Sequence, residues 1–451
     1  MSFETYHKEN AYGEVLYNTS REFFSPLQGE EKYCTAGFKE IGLIYGATEE
    51  SYRKTSALLN RIRHQEEGGT PSRTIRETTE REGLMIQDHL EQKVCTIFQE
   101  GGFTPEGQPP ASMLDTLAPQ TPLVADATVN EVRPPKVLPE PCQVDIFTDP
   151  FADADGQDAA ETSGEGVVLQ ALNELVASRG LSARSRLDIL KNPVSYEDPQ
   201  DAVKISIDDV GAKKQKETRE PQPHGPPSKK KRVYVQNTVI HVEQGGQFYM
   251  LNGDGALGVL RLLLAFLLHN KLLSHAFVFF VDGNAFYSSV ARYFSWYSNL
   301  SVILDWYHLR KKCRELLSMA MKGSKLRNAV LGKLMPLLWY GLVDQAIDYL
   351  SHLPEDQIKN PDELLHLMTY LGKNRPMIPV YAIRRELGLR NSSNRGEKAN
   401  DLLVAARQKH NGMSWSKSGS VALASVTALK KNKTYTKWFQ ERKLEFKLVS
   451  S

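Results

Sequence analysis

Between Ala202 and Met321 the apolar positions change period several times, and each change marks an element. VKISIDDVG, VYVQNTVIHVEQ and QFYMLNG are short runs rich in β-branched and aromatic residues, with GGQ between the second and third as a hairpin turn. LGVLRLLLAFLLHN reads as a buried helix. AFVFFVDG reads as a fully buried strand, an apolar run that ends at a carboxylate and a glycine. AFYSSVARYFSWY predicts a helix, LSVILD a fifth strand, and HLRKKCRELLSMAM a basic helix. About seventy residues of helical period follow, in GKLMPLLWYGLVDQAIDYLSHLP, PDELLHLMTYLGKN and IPVYAIRRELG. SSNRGEKANDLLVAARQKHNGMSWSKSGSVALASV then gives a helix, a loop and another helix.

Three antiparallel strands, a helix, a parallel strand, a helix and another strand make an α/β sheet covered by helices. That order matches a ribonuclease-H-like mixed sheet flanked by helices, here with an all-helical insertion and an N-terminal helical domain. The expected division is 1–103 helical and DNA-binding, 104–165 a linker, 166–200 a helical connector, and 201–321 the first part of the core. The insertion covers 322–389, the last part of the core 390–430, and a basic tail 431–451. In GGTPSRTIRETTEREGLMIQDHLEQKVCTIFQEGG, Thr70 or Ser72 caps a helix to about Glu82, Gly83 ends it, and a second helix follows. Two short helices around a glycine, with Arg63, Arg73, Arg76 and Arg81 nearby, are what a helix-turn-helix contact to DNA looks like; an ordinary helical hairpin is the plain alternative. The linker is rich in Pro, Ala, Asp and Thr and lacks hydrophobic periodicity, so disorder is expected there.

Charge changes this picture more than length does. The net charge of +2 over 451 residues hides a basic C-terminal part, with eleven Lys/Arg against four Asp/Glu from Glu397 onward. Such a surface suits a polyanion. The four cysteines make no CxxC pair, which argues against a zinc ribbon or a disulfide framework. MSFETYHKEN has no apolar signal core, and the apolar stretch from Gly255 is broken by Arg261 and His269. No membrane partner and a cytoplasmic, nucleoid-associated location are therefore expected.

Asp208 ends the first strand pattern and Asp282 the fourth, and in such a sheet those strands are neighbours. Two carboxylates forced together repel unless a cation sits between them. Hard oxygen ligands favour Mg²⁺ or Mn²⁺. Glu397 sits in the first turn of a late helix, with Asn400 at i+3 on its face. Asn394-x-x-Glu397 also has capping-box spacing, which is the structural alternative for the glutamate. An acid trio of this kind holds two metal ions that activate a water or a 3′-hydroxyl for in-line phosphodiester displacement. ISIDDV offers both Asp208 and Asp209, and alternation lets only one face the site; Asp208 is favoured.

ISIDDVGAKKQKETR, VFFVDGN, ILDWYHLRKKC and LGLRNSSNRGEKANDLLVAARQKHNGMSWSKSGS, in that order, resemble DDE transposases of bacterial insertion sequences, a group with relatives among Mutator-type elements. The resemblance covers about Lys204 to Thr427. It implies a catalytic, metal-binding triad of Asp208, Asp282 and Glu397 with two Mg²⁺ or Mn²⁺ ions. It also implies a helical insertion before the glutamate and a D-x-x-H element, Asp305 and His308, near the site. Asp209, Asp305, His308 and Asn400 are the candidate supporting residues.

For contacts to DNA the candidates are Arg407, Lys409 and Trp415 after the glutamate, Arg310, Lys311 and Lys312 on the basic helix, Lys230 and Lys231 in SKKKRV, and Arg73 and Arg76. The plain alternatives are helix-end pairing, a core tryptophan and solvated helix faces. The expected function is a transposase that cleaves element ends and joins the 3′-OH to target DNA. Its partners would be terminal repeats, target DNA and a second copy. A decayed, DNA-binding relative and a stand-alone metal-dependent nuclease are the rivals.

Overall fold

A computed structural model describes residues 7–9, 15–18, 40–44, 46, 51–62, 64, 69–114, 185, 189, 192, 196–197, 201–215, 233–409 and 413–450. Most of the expected linker and connector, and Lys230 and Lys231, lie outside the described residues. The strands β1 (His7–Glu9) and β2 (Val15–Asn18) form a separate hairpin. They are followed by α1 (Tyr52–Ile62), α2 (Ser72–Glu100) and the single turn α3 (Ala111–Leu114).

The core is a mixed six-stranded sheet. It contains β3 (Val203–Lys213), β4 (Tyr234–Gln244), β5 (Gln247–Gly253), β6 (Phe277–Val281), β7 (Leu300–Leu304) and β8 (Val449–Ser450), ordered β7-β6-β3-β4-β5-β8. β3, β4 and β5 pair antiparallel, and β6 and β7 run parallel to β3. Gly245 and Gly246 close the β4–β5 hairpin with φ of 56° and 75°. Two positive φ values in a two-residue loop match the right-handed twist of the strands, and glycine takes them without strain.

Both sheet faces are covered, which is why β6 reads FVFFV with every residue buried. On one face Ile205 and Ile207 join the core with α4 (Ala256–His269) and α5 (Asn284–Tyr293). On the other, Val210, Val239 and Met250 meet a helical run comprising α11 (Asn394–Asn400), a wide turn at Asp401–Ala405, and Ala406–Gln408. α12 (Lys417–Lys431) covers the same face. Each large apolar side chain buried this way contributes about 1.5–3 kcal/mol. Between β7 and α11 the chain is helical: α6 (Trp306–Ala320), α7 (Ser324–Trp339), α8 (Val343–Ser351), α9 (Pro361–Asn374) and α10 (Tyr381–Glu386), with short 3₁₀ turns at Glu355–Gln357 and Arg375–Met377. No helix among the described residues is long and apolar enough to cross a membrane.

Three expectations are corrected. Residues 72–100 are one helix, not two short helices around Gly83. A Cβ on Gly83 would lie 2.2 Å from the Ala422 carbonyl oxygen, so this glycine allows α2 to lie against α12 instead of breaking it. Beside it Glu82 is buried, and its carboxylate accepts from Arg442 at 2.5 and 3.1 Å and from Trp438 Nε1 at 3.3 Å. The helix-turn-helix reading is thereby lost, and α2 is part of the core's own packing. Secondly, residues 431–451 are not a tail. They form α13 (Tyr435–Glu441) and β8, with Trp438 and Phe446 buried. Thirdly, β3 does not end at Asp208. It runs to Lys213, because β4 continues to pair with it after β6 has stopped.

Candidate active site

The strand register places the first two acids. In the parallel ladder Ser206 pairs with Phe280, and Asp208 and Asp282 each lie two residues further on. Asp208 is still in β3, Asp282 is the first residue past the end of β6, and the charge of Asp282 acts on Asp208. Asp282 is exposed at the strand's mouth, while Asp208 is half-buried.

The third acid arrives on α11, which packs on the β3 face that carries Asp208. A Cβ on Gly396 would meet the Ser206 Cβ at 2.9 Å, so glycine is what lets α11 approach β3. One turn along, Asn400 is buried and its Nδ2 donates to Asp208 Oδ2 at 2.5 Å. Asn400 Oδ1 has no hydrogen-bond partner among the described residues. Ser393 makes no side-chain cap to α11, so the helix start is held another way. Asp305, which caps α6, accepts from the Ser393 amide and, at 2.8 Å, from the His308 amide. His308 joins the two acids: its Nδ1 is 3.2 Å from Asp305 Oδ1 and its Nε2 is 3.3 Å from Glu397 Oε1.

The electrostatics follow from this crowding. Burial, then the charge of Asp282, push the Asp208 carboxyl up to about 6; Glu397 adds to the rise, while the Asp209 amide and His308 oppose it. Burial alone would raise Asp305, but the hydrogen bonds from His308 and from the Ser393 amide outweigh it and hold Asp305 below the usual carboxylate range. His308 is raised, first by its hydrogen bond to Asp305 and then, against the effect of burial, by the charges of Asp305, Glu397 and Asp282. The site thus carries more negative charge than its own groups neutralise.

Neighbouring carboxylates with hard oxygen donors suit a divalent cation. Among the described residues, however, no three His, Cys, Asp or Glu side chains converge closely enough to hold a metal ion. The donor types fit a hard cation, and the Glu397 carboxylate contacts His308 at 3.3 Å.

The remaining predicted residues divide. Asp209 is exposed, accepts from Thr238 Oγ1 at 2.5 Å, and alternates away from the α11 face. Lys409, Lys311 and Lys312 are exposed, and Arg310 is half-buried. Arg73 and Arg76 pair with Glu77 and Glu80 on their own helix. Arg407 and Trp415 are corrected: both are buried, and neither is available to DNA. Arg407 donates to the Gly46 carbonyl at 3.0 Å and lies between the rings of Tyr52 and Trp415. Trp415 Nε1 donates to the Gln408 carbonyl at 3.1 Å. The residue that reasoning from sequence missed is Gly396. Its signal was present, as a glycine immediately before the candidate glutamate.

No protein-family model, no curated protein and no solved structure matches this chain.

Proposed function

We propose that this chain is a DNA transposase of the DDE type, cutting phosphodiester bonds at the ends of a mobile element and joining the freed 3′-OH to target DNA. One observation carries the reading. β3 and β6 are adjacent parallel strands, α11 packs on the β3 face that carries Asp208, and Asp282 at the end of β6 is close enough for its charge to act on Asp208. The sheet order and the mixed strand directions are compatible with a ribonuclease-H-like fold.

In this reading Asp208, Asp282 and Glu397 hold two Mg²⁺ or Mn²⁺ ions. When bound, the ions supply an activated water or 3′-hydroxyl and stabilise the leaving oxygen. The protein's own contribution is positional. Asn400 donates to one oxygen of the Asp208 carboxylate and the Asp209 amide donates to the other, so both oxygens are fixed in place. Asp305 fixes the ring of His308, and His308 holds Glu397 until a cation competes for it. The Asp208 carboxyl is raised first by burial and then by the charge of Asp282, and a cation would relieve the second of these. Two element ends must be processed together, so the working form is a dimer or larger multimer on DNA.

The test uses labelled duplexes taken from the DNA flanking the gene, with Mg²⁺ or Mn²⁺, and compares wild type with Asp282→Ala and Glu397→Ala. Wild type should nick and join, and both variants should bind the duplexes and do neither. Cutting without joining would make the chain a nuclease. Cutting retained in the variants would remove the triad.

A further inference from the structure

The helical insertion is polarised in a way that the proposed chemistry does not by itself require. α6 packs on α7 and α9, α7 on α8, and α8 on α9, so the four helices close into a bundle. From Trp306 to Leu342, covering α6 and α7, the chain has eight Lys/Arg and one Asp/Glu. From Val343 to Gly372, covering α8 and nearly all of α9, it has six Asp/Glu and one Lys. A solvated helix pair ordinarily mixes its signs; here one half of the bundle is basic and the other acidic.

The basic half is also uncompensated. Lys311, Lys312, Arg314, Lys322, Lys325 and Lys333 are all exposed, and none forms an ion pair with a described residue. Elsewhere some exposed cations are matched, as Arg73 is by Glu77 and Lys437 by Glu445, and others such as Lys271 and Arg385 are not; what marks this face is six unmatched cations on two adjoining helices and the turn between them, which carry a single acid. Arg327 ties the two basic helices together, donating from Nη1 to Ser318 Oγ at 3.2 Å. The track begins at the site, since α6 starts at Trp306, next to Asp305 and His308. Tyr307, 57% exposed, stands at the same end, with its ring edge-on to His308.

We infer that the α6–α7 face of the bundle is a binding surface for the phosphate backbone of duplex DNA, running from the active site outward, while the acidic α8–α9 half faces away from the duplex. This rests on the reading of the site as a DNA enzyme and adds which surface carries the substrate. The 15 residues of α6 span about 22 Å. At about 3.4 Å per base pair that is a footprint of roughly six pairs beyond the scissile bond. Tyr307 lies where an unpaired base at the cut would meet a ring to stack on.

The experiment uses the full chain in EDTA, so that binding is read without chemistry, and a random-sequence 40-base-pair duplex as probe. Lysine acetylation with and without the duplex, quantified by mass spectrometry on unmutated protein, should show Lys311, Lys322, Lys325 and Lys333 protected and the exposed Lys271, which follows α4 and precedes β6, unprotected. Replacing the six unpaired cations by glutamine should lower affinity at least about 30-fold and reduce the salt slope by about 3 or more. Asp348→Asn, Glu355→Gln, Asp356→Asn and Asp362→Asn combined should leave affinity unchanged or higher. Equal protection of Lys271 and the four lysines, absence of protection, or an unchanged salt slope would overturn the inference. In an enzyme that still cleaves, those outcomes remove this surface alone. A chain that binds along it but never cuts with Mg²⁺ or Mn²⁺ removes the catalytic reading alone.

Discussion

Replacing Gly83 by alanine separates two descriptions of the N-terminal helices by the sign of a stability change. In an exposed helix interior Gly→Ala stabilises by about 1 kcal/mol, because alanine loses less backbone entropy on folding. At Gly83 the added Cβ would lie 2.2 Å from the Ala422 oxygen and 2.6 Å from its Cα, where ordinary contact begins at 3.4 Å. The shortfall against the oxygen is 1.2 Å, and the obstructing atoms are backbone, which cannot rotate away. α2 and α12 must then move apart along a buried seam that includes Gln87 and Ser425, whose side chains meet at 3.4 Å. Overpacking of this kind costs about 1–3 kcal/mol and occasionally more. With backbone on the far side the upper part of that range applies, so the net change is a loss of about 1–2 kcal/mol.

Gly332 is the internal control. It lies within α7, and a Cβ there meets nothing within 4 Å. Gly332→Ala should therefore stabilise by about 0.5–1 kcal/mol. Urea unfolding followed by far-ultraviolet circular dichroism should move the two midpoints in opposite directions. If Gly83→Ala raises the midpoint as Gly332→Ala does, α2 does not rest on Ala422, and a helical break at Gly83 becomes the better description.

Gly396→Ala should lower cleavage at least tenfold while DNA affinity stays within twofold, because its Cβ pushes α11 away from Ser206; equal activity would show that α11 does not approach β3 so closely. Asp208 is raised from 3.8 to about 6, so the metal-free protein binds more protons than the unfolded chain between those values, and stability falls as pH rises from about 4 to 6. Asp208→Asn should accordingly stabilise the metal-free protein at pH 7.5 by up to about 3 kcal/mol and flatten that slope in urea titrations, and a destabilised variant would refute the charge argument. Asp305→Asn sets an amide NH₂ against the Ser393 or the His308 amide, leaving one buried donor unmatched, so a loss of about 1–3 kcal/mol and of cleavage together is expected from thermal melts and nicking assays.

The sheet was legible because its period is simple. FVFFV has no reading but a strand covered on both faces, and the paired glycines announce the β4–β5 turn. The adjacency of β3 and β6 was also within reach, since three antiparallel strands followed by a helix and a further strand return the chain beside the first strand. What failed did so for lack of partners. Gly83 looks like a stop when α2 is read alone; only Ala422, 339 residues later, explains it as a close approach. Arg407 and Trp415 have the composition of a DNA contact, and their burial depends on Tyr52 and Gly46 far upstream. The C-terminal residues look like a basic tail because Trp438 and Phe446 are sparse among lysines. Their burial rests on Glu82 and the β5 edge, which no local pattern announces.

Asp305 connects the catalytic residues to the helical bundle. Its carboxylate is 1% exposed and meets three groups: the amide that starts α6, the amide of Ser393 just before α11, and the ring that touches Glu397. The bundle leaves the sheet at α6 and the chain returns at Ser393, 88 residues later, so one side chain fastens both ends of the excursion. That explains how a long insertion is tolerated beside a site needing fixed geometry: closing a loop costs little more as it lengthens, provided its ends are tied. Asp305 also donates its amide to the Val281 carbonyl at the end of β6, so α6, the start of α11 and the strand end beside Asp282 meet at one residue. The wide turn at Asp401–Ala405 follows directly after Asn400 and gives α11 a register of its own, distinct from the regular helix after it. Glu397 and Asp282 are thus both linked to the insertion, Glu397 through His308 and Asp282 through the bond from Asp305 to Val281, while Asp208 is held within the paired strands β3 and β4.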